Sequence, residues 1–212
     1  MMVPFRGLAD VPAAIPLARQ HLAQNGVLGH PTETVYGLGS LPTADAVAAV
    51  ANLKGRSEGQ PFLLLVASRA MAESWGLEFG PAASVLAGTF WPGPLTLVIS
   101  GAGDRLAPAL RGPSGGYAVR HTAHTAMAAL IGALDTPLTS TSANRPGTPP
   151  VESAEAMAEL FGVDVRAGRL MILDGGTLPA RPASTVVDCV GDRPKLIREG
   201  AVPWARIQRT LV

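Results

Sequence analysis

Short apolar runs rich in β-branched residues alternate with Ala-rich stretches along the whole chain. The runs at 27–30, 61–66, 95–100, 116–120, 138–141, 170–173, 185–190 and 195–198 read as strands. Most are apolar on both faces, as in strands covered on each side. Segments 13–25, 43–53, 71–75, 81–90, 122–134 and 153–161 read as helices. Gly26 is the expected stop of the first helix and Thr43 the expected N-cap of the second. Pro16 weakens the first turns of the helix it interrupts. Such alternation predicts an α/β sheet with helices packed against it. No repeat or heptad occurs, and the Gly/Pro stretch 145–150 is too short to separate domains. Residues 1–212 are therefore expected to form a single domain.

Composition changes this picture only at a few points. With 47% apolar and 16% charged residues, a packed core is easily built. Seventeen basic residues against sixteen acidic leave a formal charge of +1, which gives no whole-molecule field for nucleic acid. Any RNA contact must then be a local patch. The single cysteine, Cys189, excludes an intrachain disulfide framework and suits a reducing compartment. Its apolar surroundings, STVVDCV, favour packing over reactivity. No signal peptide pattern opens the chain and no apolar run approaches a membrane span, so a cytoplasmic location is expected. Of the basic residues only Lys54 and Lys195 are Lys.

Four clusters combine Gly or Pro with hydroxyl and charged side chains. In HPTETVYGLG (30–39), Thr32, Thr34, Tyr36 and main-chain amides either line a pocket or form an ordinary strand-to-helix loop. Gly37 and Gly39 there permit close backbone approach. In KGRSEGQP (54–61), Lys54 and Arg56 either converge on a polyanion such as a triphosphate or decorate a solvated helix end. In STSANRPG (140–147), Ser142 and Asn144 stand two apart, on one side of an extended chain. They either bind phosphate or carbonyl oxygens or make a hydrogen-bonded turn. Near the end, STVVD (184–188) precedes IREGAV, where Arg198 is either a bidentate anion ligand or an edge-strand surface residue. There is no Walker loop, nucleophile elbow or zinc pattern, and His121 with His124 lacks a third ligand.

Together and in this order, from about residue 13 to residue 202, these strings resemble the YrdC family of threonylcarbamoyl-AMP synthases. PTETVYGLG, the K-x-R of Lys54 and Arg56, PGPLTLVI, the S-x-N of Ser142 and Asn144, STVVD and the R-x-G of Arg198 carry the resemblance. It implies an open, twisted, mixed α/β sheet around a deep cavity. It also implies an enzyme that joins L-threonine, bicarbonate and ATP, releasing pyrophosphate, for tRNA modification. Lys54, Arg56, Ser142, Asn144 and Arg198 would hold ATP and its phosphates, with Lys54 and Arg56 catalytic. Thr34, Gln60, Arg120 and Ser184 would hold threonine, Arg120 on its carboxylate. Mg²⁺ would accompany ATP, with no metal site of the protein's own. The implied partners are tRNA or double-stranded RNA, and a downstream tRNA threonylcarbamoyl transferase complex. The chain resembles the short form, without the extra C-terminal domain of some relatives.

It departs from the family pattern in two places. Ser57 stands where proline usually follows K-x-R, and Gln60 where a histidine or similar polar residue is frequent. His121 and Thr122 replace a hydrophobic residue and proline after Arg120. These departures keep open a paralogue that adenylates a different carbamoyl compound. A non-catalytic RNA-binding module is the reading from another class, against which stand the balanced charge and only ten aromatic residues.

The chemistry suits such residues. Threonine's amine and carbon dioxide give an N-carboxylate that is already anionic, so no Ser-His-Asp apparatus is needed. Its attack on the α-phosphate needs in-line positioning and cations on the leaving pyrophosphate.

Overall fold

The strand-forming runs pair into one mixed sheet. The structure, a computed structural model, describes residues 1–55 and 61–211. Among them are strands β1 (Met2–Pro4), β2 (Val27–His30), β3 (Gly37–Gly39), β4 (Leu63–Val66), β5 (Leu77–Glu78) and β6 (Leu95–Gly101). They continue with β7 (Tyr117–His121), β8 (Leu138–Ser142), β9 (Leu170–Asp174), β10 (Thr185–Asp188) and β11 (Lys195–Arg198). The helices are α1 (Val11–Ala23), α2 (Ala44–Lys54), α3 (Arg69–Ser74) and α4 (Pro81–Phe90). After these come α5 (Thr125–Leu134), α6 (Ala154–Leu160), α7 (Gly162–Arg166) and α8 (Trp204–Thr210).

The spatial order is β1-β9-β2-β3-β8-β4-β7-β6-β10-β11, with β5 paired to β6 beside this path. Parallel pairs (β1 with β9, β2 with β9, β4 with β7, β6 with β10) alternate with antiparallel ones around β3 and β8. β8 is the hinge of the arrangement. Its first residues pair with β4 and its last two, Thr141 and Ser142, with β3.

Why most strands are apolar on both faces is now plain. Successive side chains of a strand point to opposite faces. Val27, Leu64, Val66 and Ile172 enter one core, while Leu28, Leu65, Met171 and Leu173 enter the other. Helices α1 and α5 cover the second core with Ala14, Ala18, Leu22, Ala126 and Leu130. Helices α2, α4, α6 and α8 cover the first with Val50, Leu86, Met157 and Ile207. The expected α/β architecture with helices on each side holds.

Local differences have identifiable causes. Helix α1 ends at Ala23, and Asn25 rather than Gly26 takes the left-handed conformation (φ 57°). Gly26 is needed for space, because any Cβ there would collide with the His21 ring. Thr43 is the N-cap residue of α2 by position, but its hydroxyl makes no capping bond. Helix α5 starts at Thr125, three residues after Thr122, because His124 caps it by accepting from the Met127 amide through Nδ1. Strand β10 stops at Asp188, after a bulge between Val186 and Val187 opposite β11. Cys189 is a free, half-buried thiol packed on the core, and burial pushes it up to about 12. That agrees with packing rather than reactivity.

Candidate active site

Strand ends and loops from both halves of the sheet wall one cavity of about 830 Å³. Thr34, Lys54, Arg120, Ser142, Asn144, Ser184 and Arg198 all line it. Arg56 and Gln60, with Ser57, lie outside the described residues. None of the described lining residues is acidic.

The loop 31–36 is organised by Thr32. Its hydroxyl accepts from the amides of Thr34 and Val35 (3.1 and 3.2 Å) and lies 2.9 Å from the Thr34 hydroxyl. This hydroxyl-centred turn, of the kind Ser and Thr make with nearby amides, aims Thr34 into the cavity. Tyr36 departs from the expectation of a pocket residue. It is fully buried away from the cavity, with its hydroxyl donating to the Gly176 carbonyl at 2.7 Å, and burial pushes it up to about 12. The two glycines that follow serve close approach, as expected. A Cβ on Gly39 would fall on the Thr139 carbonyl oxygen, and one on Gly37 would lie 2.7 Å from the His30 ring.

Helix α2 delivers Lys54 in its last turn, closed by Gly55 in the left-handed conformation (φ 65°). A solvated helix-end cation would be exposed; Lys54 is 6% exposed. Its ammonium donates to Asn144 Oδ1 at 2.7 Å and to Ser142 Oγ and Thr141 Oγ1, each at 3.2 Å. Ser142 in turn donates to Asn144 Oδ1 at 2.7 Å. The hydrogen-bonded turn expected for STSANRPG is present. Asn144 does close a turn, through its amide to the Thr148 carbonyl, and the same side chains converge on a cation in the cavity.

Across the cavity, Arg120 at the end of β7 is 3% exposed and ion-pairs with Glu33 at 2.9 Å. It also donates to Thr34 Oγ1 at 3.2 Å. Glu33 was not singled out by its sequence position, although it sits inside the PTET string; a buried carboxylate beside a cavity Arg was the signal to look for. Thr122, one of the departures, donates its hydroxyl to Glu33 Oε2. Burial works to raise the Glu33 carboxyl, but the Arg120 charge and the bonds from Thr122 and Arg120 outweigh it. Its pKa therefore lies below the ordinary carboxylate value. Glu33 Oε1 and Arg120 Nε are buried without hydrogen-bond partners among the described residues. His121 and His124 nearby are lowered by burial against the pull of Glu33.

Arg198, on the edge strand β11, is an exposed residue, as expected of an edge strand, yet its guanidinium lines the cavity and is tied to the backbone. Its Nε and NH2 both donate to the Ser184 carbonyl (3.3 and 2.8 Å). The Ser184 hydroxyl lies 2.9 Å from that of Thr96. Burial, followed by repulsion from Arg120, lowers the Arg198 pKa. Among the described residues, two guanidiniums and an ammonium thus face the cavity, one of them, Arg120, ion-paired with Glu33.

A two-sided sheet opening onto a cation-lined cavity defines an α/β protein suited to a phosphorylated ligand together with a smaller polar one. Comparison with known proteins narrows the class. The Sua5/YciO/YrdC family model, described as "Telomere recombination", matches residues 20–200. A threonylcarbamoyl-AMP synthase of Pyrococcus abyssi is 33% identical over 198 residues, covering 93% of this chain and 57% of the relative. One of Thiobacillus denitrificans is 36% identical over 176 residues, covering 82% of this chain and 90% of the relative. The crystal structure of P. abyssi Sua5 complexed with L-threonine superposes with a TM-score of 0.88 at 32% identity, over all of this chain and 61% of that one. E. coli YciO shares the fold, with a TM-score of 0.80 at 22% identity. The chain belongs to the Sua5/YciO/YrdC family.

Proposed function

We propose that the protein makes L-threonylcarbamoyl-adenylate from L-threonine, bicarbonate or carbon dioxide, and ATP, with release of pyrophosphate. The observation that carries this reading is the meeting of Lys54, Ser142, Asn144 and Arg198 with Thr34, Arg120 and Ser184 around one cavity. ATP lies with its phosphates toward Lys54, Ser142, Asn144 and Arg198, joined by Arg56. Threonine lies toward Thr34, Arg120 and Ser184, joined by Gln60, with its carboxylate on the unpartnered side of Arg120. One carbamate oxygen forms the new bond to the α-phosphorus, the bond from that phosphorus to the bridging oxygen breaks, and the electron pair leaves with pyrophosphate. Lys54 and the arginines balance the charge that grows on the leaving group.

Mg²⁺ enters with ATP as part of the substrate. The phosphates of ATP would supply most of the ion's oxygens, as is usual where Mg²⁺ accompanies a nucleotide. The whole chain works as one catalytic unit, and the adenylate passes to a separate tRNA threonylcarbamoyl transferase complex. Any tRNA contact is a local patch. No helix among the described residues is long and apolar enough to cross a membrane.

Pyrophosphate release measured with and without threonine, at saturating ATP and bicarbonate, tests the reading. Threonine-dependent release is expected. Release indifferent to threonine would favour the paralogue with another carbamoyl substrate, and RNA binding without release the non-catalytic module.

A further inference from the structure

Arg145 follows Asn144 directly but turns away from the main cavity and lines a second one of about 600 Å³ behind it. Its NH1 donates to the Leu53 carbonyl at 2.7 Å, and its guanidinium carbon stands 4.7 Å from the centroid of the Phe161 ring. Phe161 is 1% exposed, so the platform under the guanidinium is fixed. The last carbonyls of a helix have no partner within it. In α2 the Gly55 amide closes on the Ala51 and Asn52 carbonyls, and Arg145 takes the next one, Leu53. The residue after Leu53 is Lys54.

The end of α2 is therefore tied to the 142–145 loop twice. One tie is Lys54 itself, through Ser142 and Asn144. If the lysine serves the triphosphate as proposed above, on which this inference rests, its ammonium must share those bonds with phosphate oxygens. The other tie runs from Arg145 to the backbone, and Arg145 lines the second cavity rather than the main one. We infer that Arg145 is a positioning residue that holds the Leu53–Lys54 end of α2 against the Ser142–Asn144 loop while Lys54 is engaged with substrate. A guanidinium suits this task because it can donate in its plane to the carbonyl while its face stacks on the ring, which a compact ammonium does less well.

A double-mutant cycle tests this, with wild type, Arg145→Ala, Lys54→Met and the double variant. Pyrophosphate release gives kcat and KM for ATP and threonine, calorimetry gives the affinity for α,β-methylene-ATP, and a thermal melt monitors folding. Arg145→Ala is expected to lower kcat/KM for ATP about tenfold with the threonine KM unchanged, and Arg145→Lys to recover part of the loss. In the Lys54→Met background the further loss is expected to vanish, because Arg145 acts through Lys54. The same tenfold loss in both backgrounds would overturn the inference. So would a lowered melting temperature with unchanged kinetics, which marks a structural brace alone. Should wild type release no threonine-dependent pyrophosphate, the proposed activity fails by itself. The analogue affinities then decide: coupling of Arg145 with Lys54 supports the positioning role, and independence or absent binding refutes it.

Discussion

Lys54 reaches the cavity as a compact ammonium with several acceptors from the 141–144 segment around it. A planar guanidinium is larger and fixes its donors in a fork, so it cannot occupy the same nest. Lys54→Arg is expected to fold normally, judged by its melt, and to form the adenylate at least about tenfold more slowly. Near-wild-type turnover would show that charge alone suffices there. Arg120 is harder to probe, because removing it strands the Glu33 carboxylate in a buried place, at a cost of about 3–5 kcal/mol. The double change Arg120→Ala with Glu33→Gln removes both charges together. We expect it to remain folded and to raise the threonine requirement roughly ten- to a hundredfold, with a much smaller effect on ATP. Equal weakening of both substrates in titrations would remove Arg120 from the threonine side.

The apolar strands β2, β4, β6, β7, β8 and β9 were legible because their residues are mostly buried on both faces; the run at 195–198 matches β11 as well, although that edge strand is largely exposed. Strand β3 was not, since Gly-Leu-Gly has poor strand propensity and is extended only because β2 and β8 clasp it from both sides. Strands β1 and β5 and the helices α7 and α8 are too short for periodicity to reveal. Among the site residues, the hydroxyl and Lys/Arg positions were readable from recurring strings. Glu33, Thr122 and Arg145 were not, because each acts through a partner distant in sequence. The fit of β3 gives a test at this scale. Gly39→Ala would push a Cβ onto the Thr139 backbone carbonyl, whereas at Gly37 the obstacles are the side chains of His30 and Ser140, which can shift. Gly39→Ala is therefore expected to lower the melting temperature well beyond Gly37→Ala. Equal melts would mean that the β3–β8 spacing is slack.

For the molecule as a whole, the acid limb of stability should be governed by His30. The imidazole is fully buried and neither nitrogen makes a well-formed hydrogen bond among the described residues; burial, helped by Arg120 and His124 and opposed by the nearby Pro31 backbone, lowers it from 6.5 to about 4. The unfolded chain thus binds this proton more readily than the folded one. The contribution is complete above pH 6.5 and is lost as the pH falls toward 4, about 3 kcal/mol in all. Glu33 is depressed as well, but its loss falls lower, through its folded pKa. Between pH 7 and pH 5, His30→Leu should lose about 2 kcal/mol less than wild type in denaturant titrations. Parallel losses would place the acid sensitivity elsewhere.

On the function proposed above, one cavity joins a carbamate made from threonine to the AMP portion of ATP. Incubating the protein with MgATP, L-threonine and ¹³C-bicarbonate, then reading the products by mass spectrometry, tests it most directly. The expected product is a threonine-carbamoyl adduct of AMP that carries the label, formed together with pyrophosphate and absent when threonine is omitted. Pyrophosphate accompanied by unlabelled AMP alone, or no adenylate at all from folded protein, would contradict it.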